Sequence, residues 1–249
     1  MVSSALHGLS RSLRVYYGDQ KRQRAMRELY ATFISEGDLA FDVGAHVGDR
    51  TGVFRSLGAR VVALEPQPLP GRALRLIYAR DPDVTIVSAA AADHDGTVRM
   101  HVNTANPTVS TASGDFLAQA EGAAGWEGQT WDQVIEVRAV TLDHLIDRYG
   151  HPAFIKIDVE GFEDRVLAGL SEPVPALSFE FTTIDRDVAC RGLERLAALG
   201  PYRYDIALGE TQQLTFGEGR ELDARTMAAH VRALPHEVNS GDIYARLAN

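Results

Sequence analysis

The chain has 249 residues, 45% hydrophobic and 24% charged, with a formal net charge of −9 and a single cysteine, Cys190. That balance argues against nucleic acid as a partner, which needs a positive surface, and one cysteine excludes an internal disulfide or a cysteine-rich metal site. No apolar run reaches the roughly 18 residues that span a bilayer, and residues 1–9 lack a signal peptide's basic region and apolar core. A cytoplasmic protein without an integral membrane segment is expected, built as one α/β domain with decorations.

Residues 9–36 read as helix, because Leu13, Tyr16, Tyr17, Met26, Leu29, Tyr30 and Phe33 recur at three- and four-residue spacings, with Gly18 a candidate break. Six Lys/Arg and one acid, Asp19, lie between Arg11 and Arg27. They suit a solvated helix face or a site for an anionic acceptor or membrane surface. We treat residues 1–36 as an N-terminal helical extension and 37–249 as the main domain. Alternation then begins: strand 39–43, helix 51–57 stopped by Gly58, strand 60–64, helix 69–79 and strand 84–87. Strands joined by such helices imply a parallel sheet with right-handed crossovers.

Strands 98–102 and 134–140 have no crossover helix between them and suggest a β-rich insertion or an antiparallel edge. The polar stretch between them, within residues 103–131, is long enough to expect a lid or mobile segment. A lid there would offer hydroxyl and amide groups to a polyhydroxylated acceptor, with Trp126 or Trp131 as a face for a sugar ring. Regular alternation resumes with helix 142–149, strand 153–157, helix 163–170, strand 176–181, helix 186–199 and strand 202–207. A last strand is expected at 243–247.

The densest signal is Phe41-Asp42-Val43-Gly44-Ala45-His46-Val47-Gly48-Asp49, an apolar strand ending in an acid and glycines. Gly44 permits a sharp turn, and Gly48 permits close approach of a ligand where helix N–H groups favour a negative group. Twenty-three residues after Asp42, Val61-Val62-Ala63-Leu64 ends in Glu65, placed to accept both hydroxyls of a ribose. The glycines at 44, 48 and 52 do not match the dinucleotide spacing. An acid for an ammonium, a helix start for a carboxylate and an acid for a ribose together suit S-adenosylmethionine. A bland alternative is that Asp42 only caps the turn.

Phe154-Ile155-Lys156-Ile157-Asp158-Val159-Glu160-Gly161 repeats the pattern of strand, acid and glycine turn. Asp158 and Glu160 should face the same crevice as Asp42. They would act as a base, as an anchor for the sulfonium cofactor, as ligands of a divalent cation, or only as a helix cap and first-turn acid. In Ser88-Ala89-Ala90-Ala91-Ala92-Asp93, small residues would admit an adenine ring, with Ser88 or Asp93 bonding its amino group; tight packing is the alternative. Glu180, in an apolar run, joins this carboxylate group or pairs with an arginine such as Arg165. His46 is the histidine best placed as a base. No metal site is expected, since no H-x-x-x-H spacing occurs on a helix.

These stretches resemble the FkbM family of S-adenosylmethionine-dependent methyltransferases. The likeness is carried by residues 37–48 (Gly-Asp-Leu-Ala-Phe-Asp-Val-Gly-Ala-His-Val-Gly), Val62-Ala63-Leu64-Glu65-Pro66 and Thr141-Leu142-Asp143. Residues 155–163 (Ile-Lys-Ile-Asp-Val-Glu-Gly-Phe-Glu) follow, with Val166, Leu167 and Gly169, all in family order over 37–170. The resemblance implies a Rossmann-like class I methyltransferase fold. Its seven-stranded, mostly parallel sheet would carry helices on both faces and a last strand that is antiparallel. It also implies Asp42, Gly44 and Gly48 as the cofactor loop and Glu65 as the ribose acid. The expected reaction is O-methylation of a hydroxyl on a sugar or secondary metabolite, a small-molecule or saccharide acceptor, with Asp158, Glu180 or His46 as base. The competing readings are a nicotinamide-dependent oxidoreductase and a non-catalytic cofactor-binding or partner-binding module.

Overall fold

The computed structural model describes residues 2–248, and side chains for 6–15 and 17–248. Its main sheet has seven strands: β1 (Leu39–Val43), β2 (Arg60–Leu64), β3 (Val84–Val87), β7 (Phe154–Ile157), β8 (Ala176–Thr182), β9 (Tyr202–Leu208) and β10 (Ser240–Leu247). Their order is β3-β2-β1-β7-β8-β10-β9. All neighbouring pairs are parallel except those of β10, which runs antiparallel to both β8 and β9. The chain leaves β1 in one direction and returns at β7 in the other. That reversal opens a crevice beyond the carboxyl ends of the two strands, the usual ligand position in open α/β sheets.

All five residues of β1 are buried, as a central parallel strand requires. Alternation sends Leu39, Phe41 and Val43 into one apolar cluster and Ala40 into another. The first cluster takes Leu145 of α6 (Leu142–Tyr149), Leu167 of α7 (Glu163–Ala168), Leu193 of α8 (Arg186–Leu199) and Val231 of α9 (Ala224–Ala233). The second takes Tyr30 of α2 (Gln20–Tyr30), Phe54 of α3 (Asp49–Ser56) and Leu74 of α4 (Pro68–Ile77). The expected layers, helices on both faces, are thus present. The helical extension is two helices, α1 (Val2–Gly18) and α2, broken where Asp19 caps α2 through the N–H groups of Lys21 and Arg22.

The strands without a crossover helix form a separate small sheet. Here β5 (Gly96–Val102) runs antiparallel to β6 (Gln133–Val140), and β4 (Ala90–Ala91) pairs parallel with β6. The intervening 103–131 segment is more structured than a lid reading implies. It contains a short 3-10 turn (Pro107–Val109), helix α5 (Gly114–Ala120) and a small core of its own, in which Phe116 meets Trp126 edge-on at 5.0 Å. The tryptophans are therefore packing residues and not stacking faces: Trp126 is buried, and the Trp131 indole N–H donates to the Val109 carbonyl at 2.8 Å.

Candidate active site

A cavity with about 540 Å³ of empty space opens at the carboxyl ends of β1, β2 and β7, lined by Gly44, His46, Glu65, Ala89–Ala91 and Asp158 among others. Gly44 has φ +84, and a side chain there would strike the Asp158 carbonyl, so β1 and β7 can close on one another only around glycine. Gly48 also has a positive φ, but a side chain there would meet Leu74 of α4 and Tyr78 just after it. The need for glycine at 48 is thus packing and turn geometry, a correction to the expected close approach of a ligand.

Glu65 is buried at the tip of β2, where one carboxylate oxygen accepts the His46 N–H at 2.9 Å and the other the Gln67 N–H at 2.7 Å. Burial pushes its pKa up to about 8 against those two donors. Asp42 is equally buried, accepts the Thr51 hydroxyl at 2.6 Å, and is raised to about 6 by desolvation. The His46 backbone is left-handed (φ 48), and burial lowers the imidazole to about 4. A neutral ring at pH 7 is available, though a weak base.

A second chamber adjoins the first and shares Gly44, His46, Thr108, Asp158 and Glu160 with it. It adds Asp42, Arg50, Lys156 and Glu180. The carboxylates of Asp158, Glu160 and Glu180 each have an oxygen within 4.8 Å of the others, near enough to share a cation, which the expectation of no metal site did not anticipate. A cation of the protein's own already stands beside them: the fully buried Lys156 ammonium lies 2.7 Å from Asp242 and 3.3 Å from Asp158. The register sets Lys156 opposite Ser178 and Asp242 opposite Glu180, so the Lys156 side chain crosses β8 diagonally, over a small serine, to reach Asp242.

Burial raises Glu180 and Glu160 well above the usual carboxylate range. The Lys156 and Arg50 charges outweigh burial at Asp158 and hold it low. Three crowded acids thus divide into an ionised member and two that favour the proton. Glu160 sits in a left-handed turn with Gly161 (φ 56 and 82), and its carbonyl accepts the Thr111 hydroxyl at 2.6 Å. Segment 103–131 therefore walls the site through residues near 107–112, with Gln67 donating to the Pro107 carbonyl at 3.0 Å.

Two sequence expectations are corrected here. Ser88 and Asp93 do not line either chamber. The Ser88 hydroxyl accepts from Arg75 at 2.8 Å, and Asp93 pairs with Arg165 at 2.5 Å and His94 at 2.7 Å, on the far side of the alanines. The alanines alone face the cavity. Arg165 is consequently not the partner of Glu180, which faces Asp158 instead. Sequence reading also missed Arg50, Glu210 and the Lys156–Asp242 pair. Lys156 inside a four-residue apolar strand was the available signal, since a buried charge demands a partner.

The residues present fit S-adenosylmethionine on the structure's own terms. A buried acid at the β2 tip, an alanine-lined wall and a chamber holding both a carboxylate and a guanidinium match its ribose, adenine and zwitterionic tail. Comparison with known structures finds an O-methyltransferase from Bacillus cereus in complex with SAH, at 15% identity over 97% of this chain and 90% of that one, TM-score 0.47. It also finds a precorrin-6y C5,15-methyltransferase from Geobacter metallireducens, at 14% identity over 92% and 89%, TM-score 0.46. An rRNA methylase from Streptococcus thermophilus matches at 7% identity over 90% and 94%, TM-score 0.44. Likenesses this distant assign nothing further, and no curated protein matches the sequence. The methyltransferase FkbM domain model matches residues 42–189, more than half of the chain and a span that contains Asp42, Glu65, Asp158 and Glu180. The chain belongs to the FkbM family of S-adenosylmethionine-dependent methyltransferases.

Proposed function

We propose that the enzyme methylates a hydroxyl oxygen of a neutral, polyhydroxylated acceptor, a sugar or a secondary metabolite. The observation that carries this is the carboxylate group of Asp158, Glu160 and Glu180 beside the cofactor cavity. Bound S-adenosylmethionine supplies a methyl group on a positively charged sulfur. The chain's own work is to hold the acceptor oxygen in line and to take its proton. Asp158 is the member held ionised, so it accepts that proton, while Glu180 and Glu160 favour their protonated forms and can donate hydrogen bonds to neighbouring hydroxyls. His46, neutral and at the boundary of the two chambers, positions the acceptor or relays the proton. An anionic acceptor would meet an excess of acids in this chamber, which favours a neutral one.

The test is transfer of a labelled methyl group to matched panels of sugars, polyols, phenols and amines, with and without a chelator. Label on oxygen of a polyhydroxylated acceptor is expected. Transfer only to nitrogen or carbon would overturn the reading, and loss of transfer on chelation would put a divalent cation among the three carboxylates. In this reading segment 103–131 forms the acceptor-side wall. Hydrogen exchange near residues 107–112 should slow when cofactor and acceptor are both bound.

A further inference from the structure

We infer that the two N-terminal helices and α4 together form a docking face for an anionic lipid bilayer, on which the protein rests without crossing it. The charge of the chain is divided unevenly. Residues 1–36 hold six Lys/Arg against three Asp/Glu, whereas the rest of the chain holds 19 against 31. Arg11 and Arg14 of α1 and Lys21, Arg24 and Arg27 of α2 are exposed. Among the described residues none of these five enters an ion pair. The acids near them are few or engaged: Asp19 caps α2, Asp81 and Asp83 pair with Arg55, and Glu28 stands on α2 itself. An acidic protein therefore carries a local field of opposite sign on its first two helices.

Apolar side chains stand in the same face. Helix α1 packs against α4, and the Tyr17 and Tyr78 hydroxyls lie 3.5 Å apart, so the end of α1 adjoins the end of α4. There Leu76 is 79% exposed and Ile77 42%, with the exposed Arg72 one turn before Leu76 on the same side of the helix. Tyr17 also lines a groove with Arg24 and Arg27, which joins the arginines of α2 to the α1–α4 edge. Val15 of α1 is 53% exposed. Single exposed apolar residues are ordinary, but a group of them set among arginines marks an interaction surface. Guanidinium groups meet lipid phosphates while aliphatic side chains and a tyrosine enter the headgroup region. A polynucleotide offers phosphates but no apolar layer for Leu76 and Ile77. A flat bilayer touched by this face alone also leaves acids more than about 10 Å away largely screened. No helix among the described residues is long and apolar enough to span a membrane, so the contact is superficial. The groove borders the second chamber at Asp49, and docking holds that chamber close to the headgroups. This inference is independent of the cofactor and of the acceptor.

The experiment is flotation of the full chain with phosphatidylcholine vesicles, with and without phosphatidylglycerol. The wild type should float with the phosphatidylglycerol vesicles, remain behind with pure phosphatidylcholine, and be released as salt is raised. Each basic residue at an anionic surface contributes roughly five-fold to the partition, so the triple variant Arg14→Gln, Arg24→Gln, Arg27→Gln should lose roughly a hundred-fold. The double variant Leu76→Ser, Ile77→Ser should lose about ten-fold, through apolar area no longer withdrawn from water. Arg225→Gln, on α9 across the sheet, should float as the wild type does. Thermal unfolding establishes that the variants are folded. Absence of any preference for phosphatidylglycerol overturns the inference, as does wild-type flotation of the triple or the double variant. Binding of a duplex RNA in place of the vesicles, lost in the triple variant, overturns it too and gives the face to nucleic acid.

Discussion

The two chambers are built by opposite means. On the cofactor side Glu65 is fixed by two backbone N–H groups at the tip of β2, and glycine and alanine bring main chain close to the cavity. In the second chamber Asp158, Glu160, Glu180 and Lys156 are held by one another's charges, from β7, the turn after it, β8 and, through Asp242, β10. The first arrangement rests on main-chain donors and close main-chain packing. The second is a balance of buried charges, in which removing one member leaves another unpaired. Under the proposed function, recognition of the cofactor is a property of strand ends, and the chemistry a property of the assembled sheet.

The largest expected effect tests the acceptor side. Asp158→Asn should lower turnover by about 10²–10⁴-fold, the range of a positioned base, with a much smaller change in calorimetric cofactor affinity. If affinity alone falls, Asp158 belongs with the cofactor and the division between the chambers is drawn in the wrong place. Lys156→Met should destabilise the protein by about 3–5 kcal/mol in urea unfolding, because Asp242 and Asp158 keep their burial and lose their cation. A loss below about 1 kcal/mol would mean that the charges are compensated elsewhere.

At pH 9, where Glu65 is ionised, Glu65→Ala should weaken cofactor binding by about 1.5–3 kcal/mol, as for hydrogen bonds to a charged group, and leave the methyl-transfer step nearly unchanged at saturating cofactor. The same residue gives a pH test. Glu65 titrates at about 8 in the fold against 4.5 ordinarily. Between those values the unfolded chain releases a proton that the fold retains, so this group lowers stability as pH rises from about 4.5 to 8. Glu65→Gln removes the titration, and its melting temperature should fall less across that window than the wild type's. An identical slope would show that Glu65 is ionised throughout. The smallest effect belongs to the wall: Trp131→Phe should cost about 1 kcal/mol through the lost bond to Val109, with cofactor affinity unchanged.

Much of this was legible in the sequence because it is local. Apolar runs ending in Asp42, Glu65 and Asp158 mark strands and their tips, and helices 142–149 and 186–199 matched their elements to the residue. Helix α9 escaped because only Met227 and Val231 of its ten residues are buried, too few for a clear stripe. The roles expected of Ser88, Asp93, Gly48 and the two tryptophans were misread for one reason. Each lies at the right place along the chain, but its direction is set by a partner in another element: Arg75, Arg165, Tyr78 or Phe116.

The sequence by itself determined the alternation of strands and helices, the family, and the acids and glycines at the strand ends, since each depends on periodicity and on residues a few positions apart. Only the tertiary structure decided which acids share a site and which of them keep the proton. It alone placed Lys156 against Asp242, 86 residues away. Those outcomes are set by Coulomb interaction and desolvation, which depend on distance in space and on access of water, and neither is written in the spacing of residues along the chain.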